Sequence, residues 1–212
     1  GTIFKAEDDQ ILVHLNEKTE AIIPKEERII GEEYIPGERK KFYLLDVRQT
    51  TKGPRIIVSR THPGLLRKLL EIEVPEIQEG IVEIRNIVRE AGARAKIAVA
   101  TLDANVEPLG ASVGKQGGRI KSISSELNGE KIDIIVWNPD ILTYIKNSLS
   151  PAKVLKIEPL LDQDRSVVAY VRSEQLSLAI GKTGQNVRLA ARLTGWKIDI
   201  KVSEDEKLPT MK

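Results

Sequence analysis

"SLAIGKTGQNVRLAARLTGWKIDI", residues Ser177 to Ile200, sets two glycines either side of Lys182 and Thr183 and then runs for fourteen residues without a carboxylate. Glycine at a helix start leaves the backbone open to another molecule, because no Cβ stands in the way. The Gly-Lys-Thr triplet points to a phosphate: backbone N–H groups, the helix dipole and a flexible cation all favour an anion at that place. Three readings compete, namely a nucleotide-hydrolysing loop, a clamp for a nucleic-acid backbone and a plain turn. A P-loop needs a glycine five positions ahead of the Gly-Lys-Thr glycine, and that position holds Leu176. Hydrolysis fails on spacing.

The stretch has a partner. Val113–Ile134, "VGKQGGRIKSISSELNGEKIDI", lies over Ile180–Ile200 with one gap, so that Gly114 falls on Gly181, Lys115 on Lys182 and Gly117 on Gly184. Leu127 falls on Leu193, Gly129 on Gly195, and Lys-Ile-Asp-Ile recurs at 131–134 and 197–200. One Gly-x-x-Gly is weak evidence because glycines punctuate turns everywhere. Two copies that share loop, helix, terminating glycine and strand are strong evidence of a repeated unit. The upstream copy has Leu109 at the P-loop glycine position and Gln116 where a magnesium-binding hydroxyl belongs. Both copies also clear acids along the chain: Glu107 and Glu126 bracket the first, Glu174 and Asp199 the second.

Upstream of each loop the pattern repeats as well. "HPGLLRKLLE" (62–71) and "NPDILTYIKN" (138–147) read as helices opened by an X-Pro step. "IVEIRNIV" with "AKIAVAT", and "KVLKIEPL" with "SVVAYVR", read as hairpins around Gly92 and around Asp162–Asp164. Each unit is then helix, strand, strand, helix, Gly-x-x-Gly, helix, strand, an α+β domain on a three-stranded sheet. Residues 1–61 differ. Short β-rich runs, "TIFKAEDDQILVHL", "TEAIIPK", "KKFYLLDVRQ" and "RIIVSR", with no long amphipathic helix, predict a small barrel of about five strands. Ile11, Val13 and Leu15 fall on one face of their strand, Leu12 and His14 on the other. The boundaries read 1–61, 62–137, 138–203 and a charged tail, 204–212.

Composition narrows the chemistry. There is no cysteine and there are two histidines, His14 and His62, far apart in the chain, so no disulfide framework, thiolate metal site or other metal site is expected, and no cofactor. No apolar run reaches membrane-span length, no signal-peptide pattern opens the chain, and a cytoplasmic protein with no membrane partner is the plain reading. The only methionine is Met211, which reads as a piece of a longer protein. Net charge is +2, too little to coat duplex DNA without local clearing of acids.

The two helix–hairpin–helix–Gly-x-x-Gly–helix–strand units resemble KH domains of the prokaryotic type, and the segment before them is similar to the OB-fold RNA-binding barrel. The order barrel–KH–KH, with "VSRTHPGLLRKLLEIEVPEIQEGIVEI", "GEKIDIIVW" and "IGKTGQNVRLAARLTGWKIDI", resembles the NusA family of bacterial transcription factors. The resemblance covers nearly the whole chain; the family's polymerase-engaging N-terminal domain has no counterpart in it. It implies a non-enzymatic RNA-binding part of a transcription elongation factor that modulates pausing, termination and antitermination by holding single-stranded RNA across two KH domains. RNA polymerase and other transcription factors are the partners it implies, and the protein is expected to be a monomer. A protein-interaction scaffold on polymerase, or an exosome-cap-like RNA binder, is the alternative.

The RNA-binding residues expected are Gly114, Lys115, Gln116, Gly117, Arg119 and Lys121 in the first copy. In the second they are Gly181, Lys182, Thr183, Gly184, Gln185, Asn186 and Arg188. Ile120 and Ile123, or Val187 and Ala190, are expected to line a groove for bases behind the loop. Gln116 makes the first loop less basic, and a weaker grip is expected there. Bland alternatives are a tight turn for the glycines, a solvated helix face for the cations and a helix cap for Gln185 and Asn186. Trp137 and Trp196 read as packing, Asp133 and Asp199 as solvent-facing strand residues, and His62 as a structural joint.

Overall fold

The structure, a computed structural model, describes residues 1–51, 53–101 and 103–203. The expected charged tail, 204–212, lies outside the described residues. The described residues form two compact units, one within 1–79, 89–95 and 112–132, the other within 80–88, 96–111 and 133–203.

The β-rich segment supplies β1 (Thr2–Ala6), β2 (Gln10–Asn16), β3 (Thr19–Pro24), β4 (Tyr43–Thr50) and β5 (Gly53–Ser59). They form one sheet in the order β1-β2-β3-β5-β4, with β3 and β5 parallel and the other pairs antiparallel. Alternation drives it: Ile3, Ile11, Val13, Ala21, Ile23 and Val58 turn inward to a common core. The expected barrel is met in strand number and needs one correction. Beyond the β1 edge lie a bridge from Thr2 to Arg39 and backbone hydrogen bonds between 1–3 and 37–40, and among the described residues no ladder joins β1 to β4. Leu15, expected on the same face as Ile11 and Val13, is exposed at the strand's end, where the register with β3 shifts.

Arg60, fully buried at the end of this segment, lies against Glu32 and Glu126, and its Nη1 donates to the Lys41 carbonyl at 2.7 Å and to Glu126 Oε1 at 2.9 Å. Burial works against its charge, but the two carboxylates win and raise its pKa. Such a cation could not be left unpaired.

The first KH-like unit runs α1 (Pro63–Glu73), α2 (Pro75–Gln78), β6 (Val82–Glu90), β7 (Arg94–Thr101), α3 (Pro108–Val113), α4 (Gly118–Glu126) and β8 (Lys131–Val136). The second runs α5 (Ile141–Ser148), β9 (Val154–Pro159), β10 (Ser166–Val171), α6 (Leu176–Ile180), α7 (Gln185–Thr194) and β11 (Lys197–Val202). Each carries a three-stranded sheet, β6-β7-β8 and β9-β10-β11, with β10 central, antiparallel to β9 and parallel to β11. Helix α1 begins as the sequence predicts: Pro63 takes the first turn and His62 Nδ1 accepts from the Gly64 N–H at 3.0 Å while its ring stacks on Tyr43. Helix α5 does not. Pro139 precedes the cap, and Asp140 is the N-cap, accepting from the Thr143 N–H at 3.0 Å.

Burial selects one stripe of each helix. Leu65, Leu66, Leu69 and Leu70 of α1 are at most 2% exposed. In the second KH-like unit Ile145, Leu149, Val167, Ala169, Val171, Ala179, Ala190 and Ile198 share one core, with Trp196 packed against it. Trp137 packs beside Val88, Ala98, Ile135 and Tyr144, its ring 4.9 Å from the Arg85 guanidinium. Asp133 is not the solvent-facing residue expected. It pairs at 3.0 Å with Lys96, which is wholly buried and also donates to the Ser150 carbonyl at 2.7 Å.

Candidate nucleic-acid interface

Both Gly-x-x-Gly segments adopt the same backbone. Gly114 has φ 74° and ψ 175°, Gly181 77° and 169°; Gln116 has 53° and 26°, Thr183 52° and 30°. Gly117 and Gly184, at 75° and 15° and at 76° and 12°, stand as the left-handed N-caps of α4 and α7. A β-branched threonine in the left-handed region costs about 1–2 kcal/mol, so the surroundings must hold it there.

The four glycines are needed for different reasons. A Cβ on Gly181 would stand 2.7 Å from the Asn186 backbone nitrogen, and one on Gly114 2.7 Å from Arg119 Cγ. These two glycines admit the chain's own next helix. A Cβ on Gly184 meets nothing within 4 Å and one on Gly117 only the tip of Lys121 at 3.8 Å. Those two face open space, where an outside group can approach the backbone.

Each loop closes a short 3₁₀ turn, with the Gly117 N–H donating to the Gly114 carbonyl and the Gly184 N–H to the Gly181 carbonyl, both at 3.1 Å. The N–H groups of Gly118 and Gln185 likewise donate into the turn. The loop thus offers fewer open donors than its glycines promise in the sequence. The N-caps of α4 and α7 are glycines and bring no side-chain acceptor to the helix start, where the backbone dipole is positive. Lys115 and Lys182 are exposed beside them. Arg188 donates at 3.1 Å to the Thr183 carbonyl, which fixes a guanidinium at the loop.

The structure gathers Gly114, Lys115, Gln116, Gly117 and Lys121 in the first copy, and Gly181, Lys182, Thr183, Gly184, Gln185 and Arg188 in the second. Asn186 drops out of the interface. It is 0% exposed, and its amide donates to the Leu149 and Ala179 carbonyls, each at 3.0 Å. Ile123 and Ala190 also leave the expected base groove: both are core residues, at 1% and 0% exposure. Ile120 and Val187 are half-buried.

The acid-free stretch around the first loop holds in sequence and fails in space. Arg119 Nη1 pairs with Glu76 of α2 at 2.8 Å, and Ser122 donates to Glu73 of α1 at 3.1 Å. Sequence reading missed these carboxylates because they lie 43 and 49 positions away; the acid-rich "EIEVPEIQ" was the available signal. Carboxylates beside the first loop weaken the local field for an anion.

Two α+β units of this build, each with a left-handed Gly-x-x-Gly turn between its last two helices, define a tandem KH protein. Residues 60–137 match the NusA-like first KH domain and residues 141–208 the NusA-like second KH domain; the chain belongs to the NusA family. It is 50% identical over 207 residues to the transcription termination/antitermination protein NusA of Bacillus subtilis, covering 98% of this chain and 55% of that protein. The protein of the same name from Halalkalibacterium halodurans is 50% identical over 206 residues, 97% of this chain and 53% of the relative. That of Rickettsia conorii is 47% identical over 210 residues, with 97% and 41% covered. The chain thus spans about half the length of these relatives.

Proposed function

We propose that this chain is the RNA-holding part of a transcription elongation factor, and that each Gly-x-x-Gly loop clamps a stretch of single-stranded RNA. KH domains clamp the backbone of about four nucleotides with this loop. The observation that carries the reading is the pair of matched left-handed turns, each ahead of a helix whose N-cap is glycine and each with an exposed lysine. On this reading Gly117, Lys121, Gly184, Gln185 and Arg188 contact a phosphate held on the loop. The second loop grips harder, because Glu76 and Glu73 stand by the first. The described residues contain no helix long and apolar enough to cross a membrane.

The relatives are named for transcription termination and antitermination. We extend that role to this chain: it modulates pausing, termination and antitermination through nascent RNA, as a monomer and without catalysis, alongside RNA polymerase and other factors. The test is an anisotropy titration of a single-stranded RNA with the Lys182→Asp, Thr183→Asp double variant. Affinity falls by at least tenfold while thermal unfolding stays near that of the parent chain. Unchanged affinity refutes the clamp, and salt-insensitive binding equal for all sequences favours a protein-docking surface instead.

A further inference from the structure

The fifth residue after the first glycine of each loop is Arg119 in one copy and Asn186 in the other. In both copies this residue fills the space that the glycine leaves. Arg119 Cγ and Cδ lie 2.7 and 2.8 Å from where a Gly114 Cβ would be, and Asn186 N and Cβ lie 2.7 and 2.8 Å from that of Gly181. Both residues then reach back to the opening helical segment of their own KH domain. Arg119 does so through an ion pair with Glu76 of α2 at 2.8 Å, the two side chains 30% and 29% exposed. Asn186 does so without charge and fully buried: its amide nitrogen donates to Leu149, at the end of α5, and to Ala179 of α6.

The Asn186 carbonyl oxygen is buried without a hydrogen-bond partner among the described residues. A buried oxygen in that condition lowers stability, and an aliphatic side chain would fill the same space without it. What the aliphatic side chain lacks is the pair of N–H donors. A left-handed Gln116 or Thr183 persists only where its surroundings hold it, and this position is what touches both the glycine and the helix behind it.

We infer that Arg119 and Asn186 are positioning residues that latch each loop in its left-handed form, by a part-exposed ion pair in the first KH domain and by buried neutral hydrogen bonds in the second. The latches respond differently to salt. Counterions screen an exposed pair and barely touch a buried amide. The first loop therefore loosens as ionic strength rises and the second does not, so the two copies are unequal clamps built on one backbone. The latch itself is a property of the free chain; its effect on RNA rests on the clamp reading above.

The experiment measures solvent exchange of the Gly117 and Gly184 amides by NMR on the full chain without RNA, since each amide reports the turn it closes. Raising salt, or the Glu76→Gln change, speeds Gly117 exchange roughly 1.5- to fivefold, the range expected for an exposed pair, and leaves Gly184 unchanged. Arg119→Lys, which keeps the pair, retains the salt response. Asn186→Leu speeds Gly184 exchange about fivefold or more, as two lost hydrogen bonds imply, and leaves Gly117 alone. The salt series and Glu76→Gln decide the matter even where Asn186→Leu does not fold. Both amides responding alike to salt, or Gly117 indifferent to Glu76→Gln, overturns the inference. Titrating a single-stranded RNA into the same variants separates the two ideas: exchange that changes as described with RNA affinity unaltered keeps the latch and refutes the clamp.

Discussion

Replacing the two glycines of the second loop one at a time separates what the fold needs from what a ligand needs. At Gly181 the backbone, φ 77° and ψ 169°, lies in a region reserved for glycine, where another residue costs about 1–3 kcal/mol. A Cβ there also meets a backbone nitrogen, that of Asn186 at 2.7 Å, and moving a helix start adds about 1–3 kcal/mol more. Gly181→Ala should thus lower stability by roughly 2–6 kcal/mol. Gly184, at φ 76° and ψ 12° with open space around its missing Cβ, carries only the left-handed cost of about 1–2 kcal/mol. Gly114→Ala falls between, since what its Cβ meets is the flexible stem of Arg119. Urea unfolding followed by tryptophan fluorescence in a Trp137→Phe background reads the second unit through Trp196, which packs on that unit's core. Gly184→Ala should keep most of its stability and yet lose RNA affinity, because its methyl stands where the backbone is approached. Equal stability loss at 181 and 184 would refute the division of labour.

Further expectations are shorter. Arg89 and Glu130 form a pair buried to 1% and 0% exposure, with Nε to Oε1 at 2.8 Å; Glu130→Gln leaves a buried cation uncompensated and should destabilise by about 3–5 kcal/mol in chemical denaturation. The Asp140 carboxyl is held below its ordinary pKa by hydrogen bonds from the Thr143 hydroxyl and N–H. Its stabilisation is present above the unfolded-state pKa and is lost as pH falls through the depressed folded value. Melting temperatures across that acid range should show the loss, and Asp140→Asn, which keeps an acceptor but cannot titrate, should remove this contribution. Lys182→Ala should flatten the log–log dependence of RNA affinity on salt by about 0.7, one phosphate contact's worth; an unchanged slope would exclude Lys182 from the phosphate.

Local patterns carried most of the fold. Period-two alternation placed β2, the laid-over copies fixed the order of elements in both KH units, and Trp137 and Trp196 pack as expected beside their strands. What the sequence hid is what the third dimension adds. Glu76 and Arg119 are far apart along the chain, and only the folded chain, with α1 against both α2 and α4, makes them a pair. Asn186 looks like a surface cap beside Gln185, yet a tight approach to Gly181 turns it inward. Pro139 carries the same signal as Pro63, but Asp140 captures the cap because its carboxylate reaches the Thr143 N–H. Whether a ladder closes between β1 and β4 depends on twist and strand ends, which composition does not encode. The loops were legible as candidate sites because a duplicated glycine pattern is rare. Their left-handed turns, and the donors those turns consume, were visible only in the backbone.

Amide chemical shifts recorded while a short single-stranded RNA is titrated into the full chain locate the surface that holds the RNA. The largest changes should fall on 115–117 and 182–184 and on the first turns of α4 and α7, stronger for the second loop than for the first. Saturable RNA binding with both loops unperturbed, and shifts confined to other surfaces, would contradict the clamp.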